Sequence, residues 1–380
     1  MTRLGDVCDI LNGFAYKSEQ YVDDGIRIIR IANVQKGYIE DSSPVFYPFG
    51  SKDAKKYALE EGDILMSLTG NVGRVAKLSK EFLPAALNQR VACLRIKDGT
   101  DLDKAFLFNL LNSDYFEQKC IAASKGVAQK NMSTEWLKEY EIPMLPLERQ
   151  KEIAAVLDKV SELITLRKEQ LAKLDQLVKS RFIELFGDIR EVVPVSYYIK
   201  ALTAGKSLAG EEECANKVLK TGAATYDEFD ATQVKNLPVD YTPVPEHLLK
   251  DGDIIISRMN TAELVGATAY VWKAPLNTYL PDRLWRAKLQ PNANAIFVWQ
   301  MLIQPSTKEQ IRREASGTSG SMKNISKPGL LGLHVKKVPI ELQDQFAAFV
   351  EQTDKSKLAI QQSLDKLELL KKSLMQEFFG

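Results

Sequence analysis

The chain has 380 residues, of which 45% are hydrophobic and 27% are charged, values that are ordinary for a globular protein with two domains. The net charge of +1 gives no domain-wide positive field, so any contact with nucleic acid must come from local basic patches. Four dispersed cysteines and only two histidines argue against a metal site. No apolar run indicates a signal peptide or a membrane span, and we expect a cytoplasmic protein.

The front part of the chain has the pattern of a strand-rich domain. Apolar or β-branched runs bounded by Gly, Asp and Asn predict strands at Ile26–Val34, Gly62–Leu68 and Val91–Ile96. Asp103–Leu111 has the pattern of a helix packed on that sheet. These elements predict a first domain over residues 1–145.

A long helix is predicted to follow this domain. Leu147–Leu185 contains no Pro or Gly, and its apolar residues recur at spacings of three, four or seven. Pro146 and Gly187 are typical boundary residues for a helix. At about 1.5 Å per residue the helix is roughly 58 Å long, which exceeds the size of the domain before it.

The second half of the chain repeats the first. The segment that begins at Pro146 returns 193 residues later at Pro339, and Lys130–Ser133 returns at Lys323–Ser326. A strand is predicted at Val265–Trp272, a packed helix is predicted at residues 295–303, and a second apolar stripe of helical spacing runs to the end of the chain.

The predicted fold is therefore α+β, with two tandem pseudo-symmetric β-rich domains, each followed by a long helix. The predicted segments are residues 1–145, 146–188, 189–338 and 339–380. Because a long helix with an apolar stripe needs a partner, we predict that the two helices form an antiparallel coiled-coil spacer with the domains at its opposite ends. The alternative is that each helix packs only on its own domain.

The order of the motifs resembles that of the specificity subunit of type I restriction–modification systems. The motifs are Gly62-Asp63-Ile64-Leu65, Gly70-Asn71-Val72-Gly73, Leu87-Asn88-Gln89-Arg90-Val91, Lys130-Asn131-Met132-Ser133 and Ile142-Pro143-Met144-Leu145-Pro146-Leu147-Glu148-Arg149-Gln150. The resemblance extends over essentially the whole chain. The second half departs from the pattern, with Pro281-Asp282 where the first half has Asn88-Gln89.

The resemblance implies a non-catalytic, sequence-specific DNA-binding subunit. In this family two target recognition domains each read one half of a bipartite, asymmetric site on double-stranded DNA. The partners implied are two modification subunits, which methylate adenine N6, and two restriction subunits in the full complex. S-adenosylmethionine is then bound by the modification subunits, and no cofactor is expected on this chain. The outer helix faces and residues 142–149 are implied as partner-binding surfaces.

Base reading requires Asn, Gln, Arg, Ser or Thr on loops, whereas Lys and Arg hold phosphates. In the first domain the candidate DNA-binding residues are Ser67, Thr69, Asn71, Arg74, Asn88, Gln89, Arg90, Lys125, Gln129, Lys130 and Asn131. In the second domain they are Ser257, Arg258, Asn260, Thr261, Arg283, Thr318, Ser319, Ser321, Lys323 and Asn324.

Structural interpretations of the same residues stay open. The Ser67–Arg74 segment is also compatible with an ordinary hairpin turn. Arg90 and Arg283 either contact phosphate or pair with Asp63 and Asp253 inside the fold. The Gly/Ser-rich segment 316–324 either orders on DNA or is a plain connection.

An enzyme and a protein–protein adaptor are the alternatives to a DNA-recognition function. A methyltransferase needs an Asn/Asp-Pro-Pro-aromatic loop, a nuclease of the common type needs an Asp/Glu-x-Lys triplet after Pro281-Asp282, and an ATPase needs a phosphate-binding loop. The sequence has none of these motifs. A non-catalytic protein–protein adaptor with two β-rich domains on a coiled-coil spacer is the remaining alternative.

Overall fold

A computed structural model describes residues 1–124, 130–317 and 322–380. Contacts divide the chain into two compact units. Unit 1 comprises Met1–Gln170 with Ile360–Gly380, and unit 2 comprises Leu171–Ala359. Each unit therefore contains strands, short helices and part of both long helices. The sequence boundaries of the four predicted segments stay predictions.

Unit 1 begins with strands and short helices and continues into a helix of 40 residues. The strands are β1 (Thr2–Arg3), β2 (Cys8–Asn12), β3 (Ile26–Ile29), β4 (Phe46–Tyr47), β5 (Ile64–Ser67), β6 (Val75–Lys77), β7 (Ala85–Leu87), β8 (Val91–Ile96) and β9 (Glu141–Ile142). The helices are α1 (Leu4–Val7), α2 (Lys52–Lys56), α3 (Lys104–Leu111), α4 (Asp114–Ala123), α5 (Thr134–Glu139) and α6 (Leu147–Phe186). Short 3-10 helices occupy Ser18–Gln20, Ile31–Asn33 and Lys80–Phe82.

The strands that follow belong to unit 2. They are β10 (Val192–Pro194), β11 (Ile199–Ala204), β12 (Lys217–Leu219), β13 (Val234–Asn236), β14 (Ile254–Ser257), β15 (Met259–Asn260), β16 (Thr268–Tyr270), β17 (Thr278–Tyr279), β18 (Leu284–Leu289), β19 (Lys323–Asn324) and β20 (His334–Lys336). The helices are α7 (Ala295–Leu302), α8 (Pro305–Glu314), α9 (Lys327–Gly332) and α10 (Ile340–Phe379). Short 3-10 helices occupy Val195–Tyr197, Thr221–Ala224 and Pro245–His247.

The two units have the same sheet topology. Unit 1 has a four-stranded sheet in the order β2-β8-β5-β6, a three-stranded sheet in the order β4-β3-β7, and the pair β1-β9. Unit 2 has the matching orders β11-β18-β14-β16, β13-β12-β17 and β10-β20, with the additional pair β15-β19. The predicted internal repeat is therefore a repeat of the whole fold, and the predicted α+β class is confirmed.

The predicted elements lie where the sequence placed them, but the strands predicted at Ile26–Val34, Gly62–Leu68 and Val265–Trp272 are shorter than expected. The predicted strand from Ile26 ends at Ile29 because the side chain of Asn33 closes the following 3-10 turn. It accepts a hydrogen bond from the N–H of Arg30 at 2.8 Å and donates one to the carbonyl of Glu40 at 2.7 Å. A polar side chain that bonds the local backbone competes with strand pairing.

The two long helices pack against each other in antiparallel directions, as predicted. In unit 1, Lys168 of α6 forms an ion pair with Glu368 of α10, with 3.0 Å between Nζ and Oε1. In unit 2, the ring of Phe182 from α6 meets that of Phe346 from α10 at 5.5 Å between centroids. Between these two contacts the residue number increases along α6 and decreases along α10, so the two helices run in opposite directions. The alternative in which each helix packs only on its own domain is therefore wrong.

The repeated segments that begin at Pro146 and Pro339 each contain a buried glutamine, Gln150 or Gln343, near the start of a long helix. Gln150 is fully buried, accepts from the N–H of Asp103 at 2.8 Å, and donates to the carbonyls of Asp101 and Leu145, both at 2.8 Å. Gln343 is also fully buried and bonds the matching segment of unit 2. Each amide therefore ties the start of a long helix to the loop that precedes α3 or α7.

None of the helices in the described parts of the chain combines the length and apolarity that a bilayer span requires.

Candidate nucleic-acid interface

Three of the predicted segments converge in unit 1. The N–H of Leu68 donates to the carbonyl of Arg90 at 3.0 Å, and the N–H of Met132 donates to the carbonyl of Leu68 at 2.9 Å. Thr69 and Asn131 form an isolated antiparallel bridge. We call the combined surface the first contact surface; it comprises residues 67–74, 88–90 and 130–131.

The same convergence occurs in unit 2. The N–H of Arg258 donates to the carbonyl of Arg283 at 3.1 Å, and the N–H of Ile325 donates to the carbonyl of Arg258 at 3.0 Å. β15 and β19 pair at the place where the described residues of unit 1 form the Thr69–Asn131 bridge. The second contact surface comprises residues 257–261, 281–283 and 323–324. The two contact surfaces therefore share one backbone framework but carry different side chains.

Glycines allow the central turn of each surface to sit tightly on a helix. Gly73 has φ of +84°, and a Cβ at this position would lie 2.8 Å from Cβ of Cys120 on α4. Gly266 has φ of +75°, and a Cβ there would lie 2.5 Å from Cγ2 of Ile311 on α8. Both the backbone conformation and the close approach exclude a side chain. We call Ser67–Arg74 and Ser257–Gly266 the first and second recognition turns.

Most of the predicted contact residues that the structure describes carry accessible side chains. Exposed residues are Asn71, Gln89, Arg90, Lys130, Asn131, Thr261 and Arg283. Half-buried residues are Arg74, Asn88, Arg258, Asn260, Lys323 and Asn324. Together they supply amide groups that can read base edges and cations that can neutralise phosphates. Lys125, Gln129, Thr318, Ser319 and Ser321 lie outside the described residues.

Three predicted contact residues lie inside the fold. Ser67 and Ser257 have no exposed surface, and Thr69 is 8% exposed. The hydroxyl of Ser67 accepts from the N–H of Arg74 at 3.2 Å and also bonds the carbonyl of Asn71, so it holds the first recognition turn together. Because buried hydroxyls in this conformation do not reach a nucleotide, we remove these three residues from the contact set.

The structural alternative for Arg90 and Arg283 is also wrong. The carboxylate of Asp63 pairs with Arg95, with 2.7 Å between Nη2 and Oδ2. In unit 2 the matching carboxylate pairs with Arg286 at 2.9 Å. In the parts of the chain that the structure describes, no ion pair involves Arg90 or Arg283. Both guanidinium groups therefore remain at the surface, where they can contact phosphate.

Arg258 has a distinctive environment on the second contact surface. Its guanidinium carbon lies 5.8 Å from the ring centroid of Trp285, within the range of a cation–π contact. Its Nε is buried without a hydrogen-bond partner among the described residues. The position is occupied by the apolar Leu68 in unit 1. The stacked guanidinium is thus a difference in chemistry between two otherwise matching surfaces.

The sequence analysis did not identify the segments that follow β2 and β11. Each of these segments borders the contact surface of its own unit. The N–H of Gln89 donates to the carbonyl of Phe14 at 2.9 Å, and the N–H of Gly205 donates to the carbonyl of Pro281 at 2.9 Å. Gly13 and Gly205 both allow close backbone approach, since a Cβ would lie 2.2 Å from the carbonyl of Asn88 or 1.8 Å from that of Leu280. The matching glycines were the available signal.

The site offers hydrogen-bond donors and cations rather than metal ligands. No group of three or more His, Cys, Asp or Glu residues that could hold a metal ion occurs in the described ranges. The carboxylate of Asp282, which belongs to the second contact surface, accepts a hydrogen bond from the hydroxyl of Ser207.

Comparisons with known proteins agree with this architecture. Residues 1–176 match the family described as the type I restriction modification DNA specificity domain. The chain is 24% identical over 403 residues to the type I restriction enzyme EcoKI specificity subunit of Escherichia coli strain K12, covering 98% of this chain and 86% of that protein.

Two solved structures share the fold over the whole chain. The type I restriction–modification S subunit from M. genitalium has a TM-score of 0.63 at 16% identity, covering 100% of this chain and 95% of that chain. A structure described as the basis of complex assembly and conformational transition of the type I R-M system has a TM-score of 0.56 at 17% identity, covering 100% and 96%.

Proposed function

Because the chain belongs to the family of type I restriction–modification specificity subunits, which are DNA-recognition rather than catalytic chains, we propose that it reads a bipartite, asymmetric DNA target with one half-site for each unit. The reading is done by the first and second contact surfaces. Exposed Arg and Lys side chains fix the position on the phosphates, and the amide and hydroxyl side chains beside them read base edges.

The proposal depends on one observation: the two contact surfaces have the same backbone framework but different side chains. Arg90 and Lys130 of unit 1 match Arg283 and Lys323 of unit 2, so the phosphate-binding cations are shared. The residues beside them differ: Asn88-Gln89 is replaced by Pro281-Asp282. Phosphate contacts carry no sequence information, whereas base-edge contacts do. With the same phosphate contacts and different base contacts, the two units would bind DNA in the same manner and read different half-sites.

The proposal includes partner subunits that perform the chemistry. Two modification subunits would bind S-adenosylmethionine and methylate adenine N6 at the site that this chain selects, and two restriction subunits would complete the assembly. Partner contacts are assigned to the outer faces of α6 and α10 and to residues 142–149. Exposed apolar side chains on these helices, such as those of Leu177 and Leu369, support that assignment. The similar solved structure that describes complex assembly of the type I R-M system is a further support.

The test is sequencing of modified bases in a host genome after co-expression of the chain with a modification subunit encoded beside it. Each protein is also expressed alone as a control. We expect N6-methyladenine at one split, asymmetric motif, and only when both proteins are present. A stable complex of the two proteins, with an active methyltransferase but no methylated motif, would favour the adaptor function instead.

A further inference from the structure

A loop beside the first recognition turn is tied to helix α4 by a lysine. Nζ of Lys36 lies 2.5 Å from the carboxylate of Asp114 and 2.7 Å from that of Glu117. The next residue, Gly37, donates its N–H to the carbonyl of Val75 at 2.8 Å. The loop is therefore attached both to the helix and to the first residue of β6.

In unit 2 the corresponding loop is tied to helix α8 by an aspartate. The carboxylate of Asp227 lies 2.5 Å from Nζ of Lys308, and it accepts a hydrogen bond from the N–H of Thr268 at 2.8 Å. Lys308 also donates to the carbonyl of Gly266 at 2.9 Å. The loop, the helix and the second recognition turn therefore meet at one ion pair.

The two arrangements are structurally equivalent and opposite in charge. Glu117 and Lys308 are both the fourth residue of their helices, α4 and α8. Val75 and Thr268 are both the first residue of matching strands, β6 and β16. At the same place in the repeated fold, unit 1 has a loop cation with a helix anion, and unit 2 has a loop anion with a helix cation.

Both ion pairs act on the recognition turn itself. The guanidinium of Arg74, in the first turn, donates to the side chain of Gln35 in the tied loop. One helical turn beyond the ion pair, Cys120 of α4 lies directly under Gly73, as Ile311 of α8 lies under Gly266. A shift of the loop or the helix would therefore move the turn whose side chains face the DNA.

The unit 2 pair is the more enclosed of the two. The side chain of Lys308 is 11% exposed and that of Asp227 is 32% exposed, whereas that of Lys36 is 41% exposed. Burial lowers the pKa of Lys308, which makes the neighbouring carboxylate important for holding its charge. Asp227 also has φ of +63°, an uncommon conformation for a residue with a side chain. The surroundings hold this residue in place.

We propose that Lys36 in unit 1 and Asp227 in unit 2 are positioning residues, each of which fixes the recognition turn of its own unit through an ion pair with α4 or α8. This inference rests on the proposed function. In unit 1 a loop cation faces two carboxylates of α4, and in unit 2 a loop anion faces one cation of α8, so each unit closes the same contact between loop and helix with its own charges. Replacing the charged group of the loop should therefore impair reading by that unit, whereas an exchange that keeps the charge and its donors should preserve it.

The experiment uses the full chain in complex with its modification subunit. Initial methylation rates are measured on duplexes that carry the matched target or a single substitution in either half-site. With Asp227→Lys we expect discrimination at the unit 2 half-site to fall by about tenfold or more, the scale of one lost base-pair preference, with the unit 1 half-site unchanged. Lys308→Arg keeps a cation that can donate both to the carboxylate of Asp227 and to the carbonyl of Gly266, so it should hold discrimination to within about threefold of the unchanged chain.

Two further variants separate positioning from general loss of structure. Glu309→Lys breaks an exposed pair with Arg313 on the same helix and should leave both half-sites unchanged. Lys36→Met, at a more exposed position, should reduce discrimination only at the unit 1 half-site and change the unfolding temperature little, since an exposed ion pair contributes about 0.2–1 kcal/mol to stability.

Three outcomes would overturn the inference. Asp227→Lys could leave discrimination intact, it could weaken both half-sites equally, or Lys308→Arg could lose as much discrimination as Asp227→Lys while Lys36→Met has no effect. A wild-type complex that methylates no split motif would instead overturn the proposed function, and the positioning inference with it.

Discussion

The buried amide of Gln150 provides a quantitative test of how each long helix is joined to its domain. Replacing Gln150 with Leu keeps a similar volume and removes three hydrogen bonds, one accepted from a backbone N–H and two donated to backbone carbonyls. A net hydrogen bond contributes about 0.5–1.5 kcal/mol, and a buried group left without a partner costs about 1–3 kcal/mol. We therefore expect the free energy of unfolding to fall by roughly 3 kcal/mol.

Urea unfolding of the isolated chain, followed by circular dichroism, measures this loss. Gln118→Leu is the matched control, because Gln118 lies on the exposed face of α4 and the substitution should cost little. The transition assigned to unit 1 should move to lower urea for Gln150→Leu and stay in place for the control. An equal midpoint for both variants would refute the reasoning that the amide ties the helix to the domain.

Three further predictions concern charged groups of unit 1. Arg95→Leu removes the cation that faces the nearly buried carboxylate of Asp63, and we expect a loss of about 3 kcal/mol in urea unfolding; a loss below about 1 kcal/mol would contradict this. Arg90→Ala in the full complex should weaken binding to matched and unrelated DNA about equally and reduce the salt slope by about 1; a change in sequence preference would argue against a phosphate contact. The hydrogen bond from Lys36 lowers the pKa of Asp114, so the contribution of this pair to stability is present above the ordinary aspartate range and is lost as pH falls through the lowered pKa. In Lys36→Met, carboxyl titration by NMR should show the pKa of Asp114 rising toward its usual range, and an unchanged pKa would refute the assignment.

Much of the architecture was predictable because it depends on periodicity and repetition. The helix predicted from Leu147 to Leu185 is observed as Leu147–Phe186, since an uninterrupted apolar stripe between Pro and Gly leaves few alternatives. The repeat at Pro146 and Pro339 correctly indicated two equivalent units. The end of β3 was not predictable from pattern, because it depends on the hydrogen bonds of one Asn33 side chain.

The side-chain partners inside the domains were less predictable. Ion pairing of Asp63 with Arg95 rather than Arg90 depends on the register of β5 and β8, in which Ile64 faces Leu94. A sequence pattern does not specify that register to a single residue. The burial of Ser67 has the same origin, since it follows from the strand position that precedes the first recognition turn.

The ion pairs of opposite polarity were hidden for a related reason. Asp227 and Lys308 are 81 residues apart, and their unit 1 equivalents carry the reverse charges, so no residue identity marks the match. Position in the repeated fold, and not residue type, is the property that the two units share here.

The central claim is that each unit reads its own half of the DNA target, and exchange of one unit's recognition segment tests it most directly. Residues 189–338 would be replaced by the corresponding segment of a relative with a different target, and modified bases would then be sequenced in cells that also express the modification subunit. We expect a split motif in which one half is new and the other is unchanged. A motif altered in both halves, or in neither, would contradict it.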